Sequence, residues 1–172
     1  GPRGCGKTHL SNILINKINA QLVKALNVEE SILHNMDKKK CLIIDDYESN
    51  IDEKLLYSII NFINQSNKYL VINSIKPIKF NKVSLNDLKS RFESFIDLGI
   101  KLPTDDLIKV VVTKYFSDKQ IKVNIRLLDY ILNNIDRSYE RIFEFVRDVD
   151  KESLASGKSI NMNMIKKILK NE

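Results

Sequence analysis

The chain opens on GPRGCGKTHL, and no other feature constrains it as tightly. Gly1, Gly4, Gly6, Lys7 and Thr8 complete G-x-x-G-x-G-K-T, every position of the Walker A pattern. Glycines there let backbone N–H groups turn inward and approach phosphate oxygens. Leu10, Ile13, Leu14 and Ile18 follow at helical spacing. A helix starting near Lys7 would add its positive dipole end to the loop. Lys7 is then placed to reach β- and γ-phosphates, and Thr8 to ligate Mg²⁺ through its hydroxyl. Cys5 in the loop and His9 in the first helical turn are counted by position with the cofactor-binding residues. His9 and His34 have no metal-ligand company, and a structural place suits His9.

A second signature lies further on. The apolar run 41–44 ends in Asp45 and Asp46, a Walker B pattern. Alone such a run is weak, because many strands end in acids; behind a Walker A it becomes specific. A strand delivers both acids to its carboxyl end, where open α/β sheets bind ligands. Asp45 would hold the magnesium, directly or through water, and Asp46 would sit where a base could orient attacking water. Asn73 and Ser74 end the next strand. Asn73 could orient that water or simply turn the chain. Arg91, in LKSRF, ends a short helix and could project toward a neighbour's nucleotide to stabilise transition-state charge. On residue type alone, an exposed arginine is the plainer reading. Arg141, in YERIF, could fold back onto the phosphates, whereas Arg137 and Arg147 read as surface residues.

The chain between these motifs alternates strand and helix. Strands are expected over 21–25, 41–44, 69–72 and 95–98, the middle two buried, with Gly99 ending the last. A short helix is expected within VEESILHNM, an amphipathic helix over 52–65 on Leu55, Leu56, Ile59, Ile60 and Ile63, and a short one capped by Ser84 and running to Arg91. Such alternation implies parallel strands with right-handed crossovers. After Pro103 the period changes to helical throughout: 105–116, 125–134, 139–155 and 162–170. Thr104, Asn124, Ser138 and Asn161 are the caps and Gly157 a stop. The expected fold class is α/β, a parallel αβα sandwich over 1–101 followed by a small all-helical domain over 102–172.

Composition narrows the setting. The 172 residues are 43% hydrophobic and 29% charged, enough for a packed core. The formal net charge of +6 suggests nucleic acid or a partner on it, but the lysines are spread along the whole chain. Two cysteines make neither a disulfide framework nor a zinc motif, and reduced thiols fit the cytoplasm. No apolar stretch approaches a membrane span.

GPRGCGKTHL, CLIIDDYE, LNDLKSRFE and DRSYERIFEFV stand in the order and approximate spacing of the AAA+ domain of the DnaA family. The chain resembles that family over essentially its whole length. KTHL, LKSRF and the closing SINMNMIKKILKN resemble its Hda-like regulators. The resemblance implies ATP or ADP with Mg²⁺ between a nucleotide domain and a helical lid. It matches Arg91 to the arginine finger and Arg141 to the sensor 2 arginine. It implies regulation of replication initiation: hydrolysis of ATP held by the DnaA initiator, promoted in trans by Arg91, with the protein tethered to the DNA sliding clamp. Its own ATPase would be weak, contact with DNA indirect, and a homo-oligomer compatible with the family. The rivals are a DnaA-type paralogue, a helicase loader, and a degenerate module without nucleotide.

Three departures accompany the resemblance. Ile75 lies near the place of the usual sensor 1 Asp. No clamp-binding peptide can be matched. Residue 1 already lies inside the Walker A loop, so the family's preceding strand is missing from the sequence. That strand would lie between the strands expected over 69–72 and 95–98, and a gap there would leave backbone groups unpaired. A fragment or a misplaced start is therefore the expectation.

Overall fold

The structure is a computed structural model that describes residues 1–119, 124–157 and 159–170. Contacts divide the chain into two compact units, one of Gly1 with Gly6–Ile100, the other of Pro2–Cys5 with Lys101–Glu172.

The first unit runs α1 (Lys7–Ile18), β1 (Ala20–Lys24), α2 (Ser31–Asn35), β2 (Cys41–Tyr47), α3 (Glu53–Gln65), β3 (Tyr69–Ser74) and α4 (Asn86–Glu93). Its three strands form one parallel sheet in the order β1-β2-β3. Side chains alternate faces along a strand, so β2 serves two cores. Cys41 and Ile43 pack with Ala20, Leu22 and Val71 against Leu14 and Ile15 of α1. Leu42 and Ile44 pack on the other face with Leu56, Ile59, Ile60 and Ile63 of α3 and with Leu88 and Phe92 of α4. Helices therefore cover both faces, as the strand–helix alternation implied.

Four local expectations are corrected. The apolar stripe of α1 is turned by about one residue: Ser11 is its buried position, with Leu14 and Ile15 partly covered, while Leu10, Ile13 and Ile18 are exposed. β3 is not a buried strand, since it pairs with β2 on one side only and Tyr69 is 70% exposed. Residues 95–98 are not a strand: Ile96 and Leu98 are each 88% exposed, and no strand of the sheet lies beside them to take their backbone bonds. Nor does Ser84 cap α4. The Glu53 carboxylate accepts from the N–H groups of Ser84 (2.9 and 3.0 Å) and Leu85 (2.8 Å), so α3 supplies the cap of α4.

The helical unit follows its sequence closely. It contains α5 (Asp105–Asp118), α6 (Ile125–Asn134), α7 (Tyr139–Ser156) and α8 (Met162–Lys170). Thr104, Asn124, Ser138 and Asn161 each accept a backbone N–H at a helix start. Gly157 ends α7 at φ 63°, a left-handed geometry that costs a glycine little. Ile108, Val112, Phe116, Ile131, Phe145, Val149 and Ile165 form its core. Asp150 accepts from Lys119 at 3.2 Å and holds that ammonium above the ordinary lysine range. Asn171, last residue of the closing motif, lies outside the described residues. Among the described residues no helix is long and apolar enough to cross a membrane.

Candidate functional site

Within the β/α unit Gly1, α1 and the carboxyl ends of β2 and β3 meet around Asp45. Its carboxylate is 2% exposed. The Thr8 hydroxyl donates to one oxygen at 2.7 Å, and the Asn73 amide donates to the other at 2.7 Å. The same amide nitrogen donates to Ser11 Oγ at 2.8 Å, and Ser11 donates in turn to the Lys7 carbonyl at 3.1 Å. Lys7 Nζ donates to the Gly1 carbonyl at 2.8 Å, and the Gly1 nitrogen to the Ser74 carbonyl at 3.1 Å. Gly1, Lys7, Thr8, Ser11, Asp45 and Asn73 are thus joined in one hydrogen-bonded set.

The strand pleat explains the meeting. Asp45 follows Cys41 and Ile43 by steps of two, and Asn73 follows Val71, so both side chains share the α1 face. Ser11 lies one helical turn beyond Lys7, the position from which an α1 side chain reaches back to that carbonyl.

Thr8 and Asn73 offer this buried carboxylate neutral donors, and a buried carboxylate favours a cationic partner because burying a charge is costly unless it is paired. A divalent cation fits here. Thr8 Oγ1 and Asp45 Oδ2 stand 2.7 Å apart, close to the roughly 3 Å that separates adjacent ligands of octahedral Mg²⁺. Among the described residues no group of three or more His, Cys, Asp or Glu could hold a metal. Mg²⁺ commonly relies on one or two protein ligands, with phosphate oxygens and water completing its shell.

Asp46 is exposed and sits at φ 56°, where the β2–β3 register shifts between Ile44 and Tyr47. Aspartate tolerates the left-handed region better than most residues, and such irregularities re-aim side chains beside sites. Burial pushes the Cys41 thiol and the Tyr47 phenol up, so both stay protonated in the core.

His9 is exposed in the first turn of α1, and Arg91 is exposed in the last turn of α4. Gly4, Cys5 and Arg141 belong to the second unit. Gly4 adopts φ 73°, and a Cβ there would lie 3.1 to 3.3 Å from Tyr139 and Glu140 at the start of α7. Gly6, at φ 92°, ends the loop where α1 begins. Arg141 N–H donates to Ser138 at 3.1 Å, and its guanidinium lies 3.9 Å from Glu144. Ser11 was not among the expected site residues. Its place one helical turn after Lys7, on the same side of α1 as Leu14 and Ile15, is what a reading of the helix face would need.

Comparison with known proteins places the fold. The family model described as RNA helicase matches residues 1–95, more than half of the chain. An uncharacterized protein of Haemophilus influenzae is 26% identical over 182 aligned positions, covering 98% of this chain and 79% of its own length. The chromosomal replication initiator protein DnaA of Chlorobaculum tepidum is 24% identical over 161 positions, covering 78% of this chain. The chain spans 32% of that initiator's length. Domain III of the Thermotoga maritima replication initiation protein DnaA superposes with a TM-score of 0.78 at 19% identity, over 99% of this chain and 81% of that one. The Thermotoga maritima RuvB Holliday junction branch migration motor gives 0.76 at 20%, over 99% and 59%. Replication initiator DnaA bound to AMPPCP and single-stranded DNA gives 0.71 at 16%, over 91% and 56%. At these identities the structures share a fold with this chain, the α/β AAA+ fold of DnaA and RuvB. The stretch matched by the family model carries the entire Asp45 set, and on that match the chain belongs to the RNA helicase family.

Proposed function

We propose that the chain is an ATP- or ADP-binding, DnaA-like regulator of replication initiation that promotes hydrolysis of initiator-bound ATP through Arg91. One observation carries the nucleotide reading: Gly1, Lys7, Thr8, Asp45 and Asn73 converge in one bonded set. In this reading residues 1–101 are the nucleotide domain and 102–172 its helical lid. The loop N–H groups from Gly1 to Thr8, with Cys5 and His9 beside them, surround the phosphates. Lys7 exchanges its Gly1 carbonyl for phosphate oxygens. Thr8 and Asp45 hold Mg²⁺, which would supply charge neutralisation on the phosphates. Asp46 orients water, Asn73 keeps Asp45 in place, and Arg141 answers the phosphate charge from the lid. Arg91, exposed on α4 and outside the bonded set, suits an arginine offered to another molecule's nucleotide. The partners are the DnaA initiator, the sliding clamp and further copies of this chain, with DNA reached indirectly and the cytoplasm as the setting.

The experiment is single-turnover hydrolysis of ATP pre-bound to the cognate initiator, with this chain and DNA-loaded clamp added. We expect acceleration, lost in Arg91→Ala by a factor on the order of 10³ where the finger is fully used. No acceleration by a chain that binds nucleotide would overturn the regulatory role and leave the nucleotide site standing.

A second reading is favoured by the family match itself: an ATPase driven by nucleic acid, as an initiator paralogue or a helicase loader would be. ATP hydrolysis raised by single-stranded nucleic acid with no initiator present would favour it.

A further inference from the structure

Serine is an unfavourable choice at position 11. The residue lies inside α1 at 1% exposure, on the side that carries Leu14 and Ile15 to the sheet, where alanine would suit helix and core better. A buried hydroxyl is tolerated when its hydrogen bonds are made. Ser11 makes two: it donates to the Lys7 carbonyl at 3.1 Å and accepts from the Asn73 amide at 2.8 Å. Among the described residues outside the apolar cores, Ser11 and Asp45 are the buried polar side chains. Asn73, half-buried on β3, bonds to both.

The chemistry of the partners allows one direction of donation along this chain. A carbonyl and an ionised carboxylate can only accept. The Lys7 carbonyl therefore takes the Ser11 hydrogen, and Asp45 Oδ1 takes one from the Asn73 nitrogen at 2.7 Å. With its single hydrogen committed, Ser11 meets Asn73 as an acceptor, and the second amide hydrogen points at it. Both N–H bonds of the amide are engaged. Turning it over would set its oxygen against the Asp45 carboxylate, acceptor to acceptor.

Ser11 thus acts on Asp45 at one remove. Asn73 holds Oδ1, which leaves Oδ2 toward Thr8 Oγ1 at 2.7 Å, the pair that stands at the spacing of adjacent Mg²⁺ ligands. A residue that orients a metal ligand from behind adds to metal affinity without touching the metal. We propose that Ser11 is a positioning residue for the metal half of this site: it locks the Asn73 amide, and through it the Asp45 carboxylate, in the orientation that Mg²⁺ needs. This role rests on the nucleotide reading above and adds to it that one α1 side chain tunes the metal separately from the phosphates.

The test has two arms, both on the full chain. In the first, a fluorescent ADP analogue is titrated with Mg²⁺ and again in EDTA. Ser11→Ala should raise the Mg²⁺ concentration at half-saturation about tenfold and leave the metal-free affinity within about twofold. On an Asn73→Ala background the same substitution should add no more than about twofold, because the link it acts through is gone. The second arm needs no ligand. The Asn73 side-chain amide, identified in a nitrogen-15 NMR spectrum by its loss in Asn73→Ala, should exchange with solvent about tenfold faster or more in Ser11→Ala. Three results would overturn the role: equal weakening with and without Mg²⁺, which is what a packing residue gives; a full Ser11→Ala shift on the Asn73→Ala background; or amide exchange indifferent to Ser11→Ala. A native chain that binds no ADP analogue would overturn the nucleotide reading instead, and the amide arm would still decide whether Ser11 holds Asn73.

Discussion

Every helix of the helical unit is punctuated by a residue beside it, whereas in the β/α unit Asp52 caps α3 locally but the start of α4 leans on a distant residue. Ser138 accepts the N–H of Arg141, three residues on. Glu53 caps the start of α4 from 31 and 32 residues away. The difference separates structure that local chemistry determines from structure that only a neighbour can determine. A helix satisfies its backbone internally, so caps and apolar period suffice to define it. A strand satisfies its backbone on other strands, and no pattern within it guarantees that a partner exists.

Core truncations put the largest load on this contrast. Ile43 and Phe145 are both fully buried, one in β2 and one in α7. Ile43→Ala should cost about 2–5 kcal/mol and Phe145→Ala about 3–5 kcal/mol in chemical denaturation. Hydrogen exchange should quicken mainly in the strands for the first and in α5 to α8 for the second. Uniform quickening in either variant would break the comparison.

Cap removals sharpen it at a smaller scale. Ser138→Ala should cost about 1 kcal/mol. Glu53→Ala removes a charged acceptor from two backbone donors and should cost about 1.5–3 kcal/mol. If the distant cap proves the cheaper one, α4 does not depend on α3 for its start. The smallest effect belongs to the two residues that the sequence marks as strand and the structure leaves in water. Ile96→Ser with Leu98→Ser should change stability by no more than about 0.5 kcal/mol. A larger loss would show that this segment is buried in solution.

What was legible follows the same division. The four late helices, their caps and the stop at Gly157 were readable because each signal lies within a turn of its effect. The left-handed glycines before α1 and the strand ending near two acids were readable because glycine spacing and a run of four apolar residues are local patterns. The placement of α1 was not, because which of its sides meets the sheet depends on Cys41 and Ile43, more than twenty residues away. Hence Ser11 was missed and Leu10 misplaced. Asn73 was readable as a residue type at a strand end, but its bond to Asp45 depends on the register of β2 and β3.

Asn73 has a chemical consequence of its own. Its side chain differs from aspartate by one nitrogen in place of one oxygen, an exchange that slow hydrolysis of the amide makes without any mutation. In the native chain that nitrogen lies 2.7 Å from the Asp45 carboxylate and donates to it. After hydrolysis, an acceptor would face an acceptor and two like charges would compete for one buried space. The protein's oldest molecules would then differ from its newest in charge at the centre of this site, and only a shared proton or a bound cation could hold the two carboxylates together.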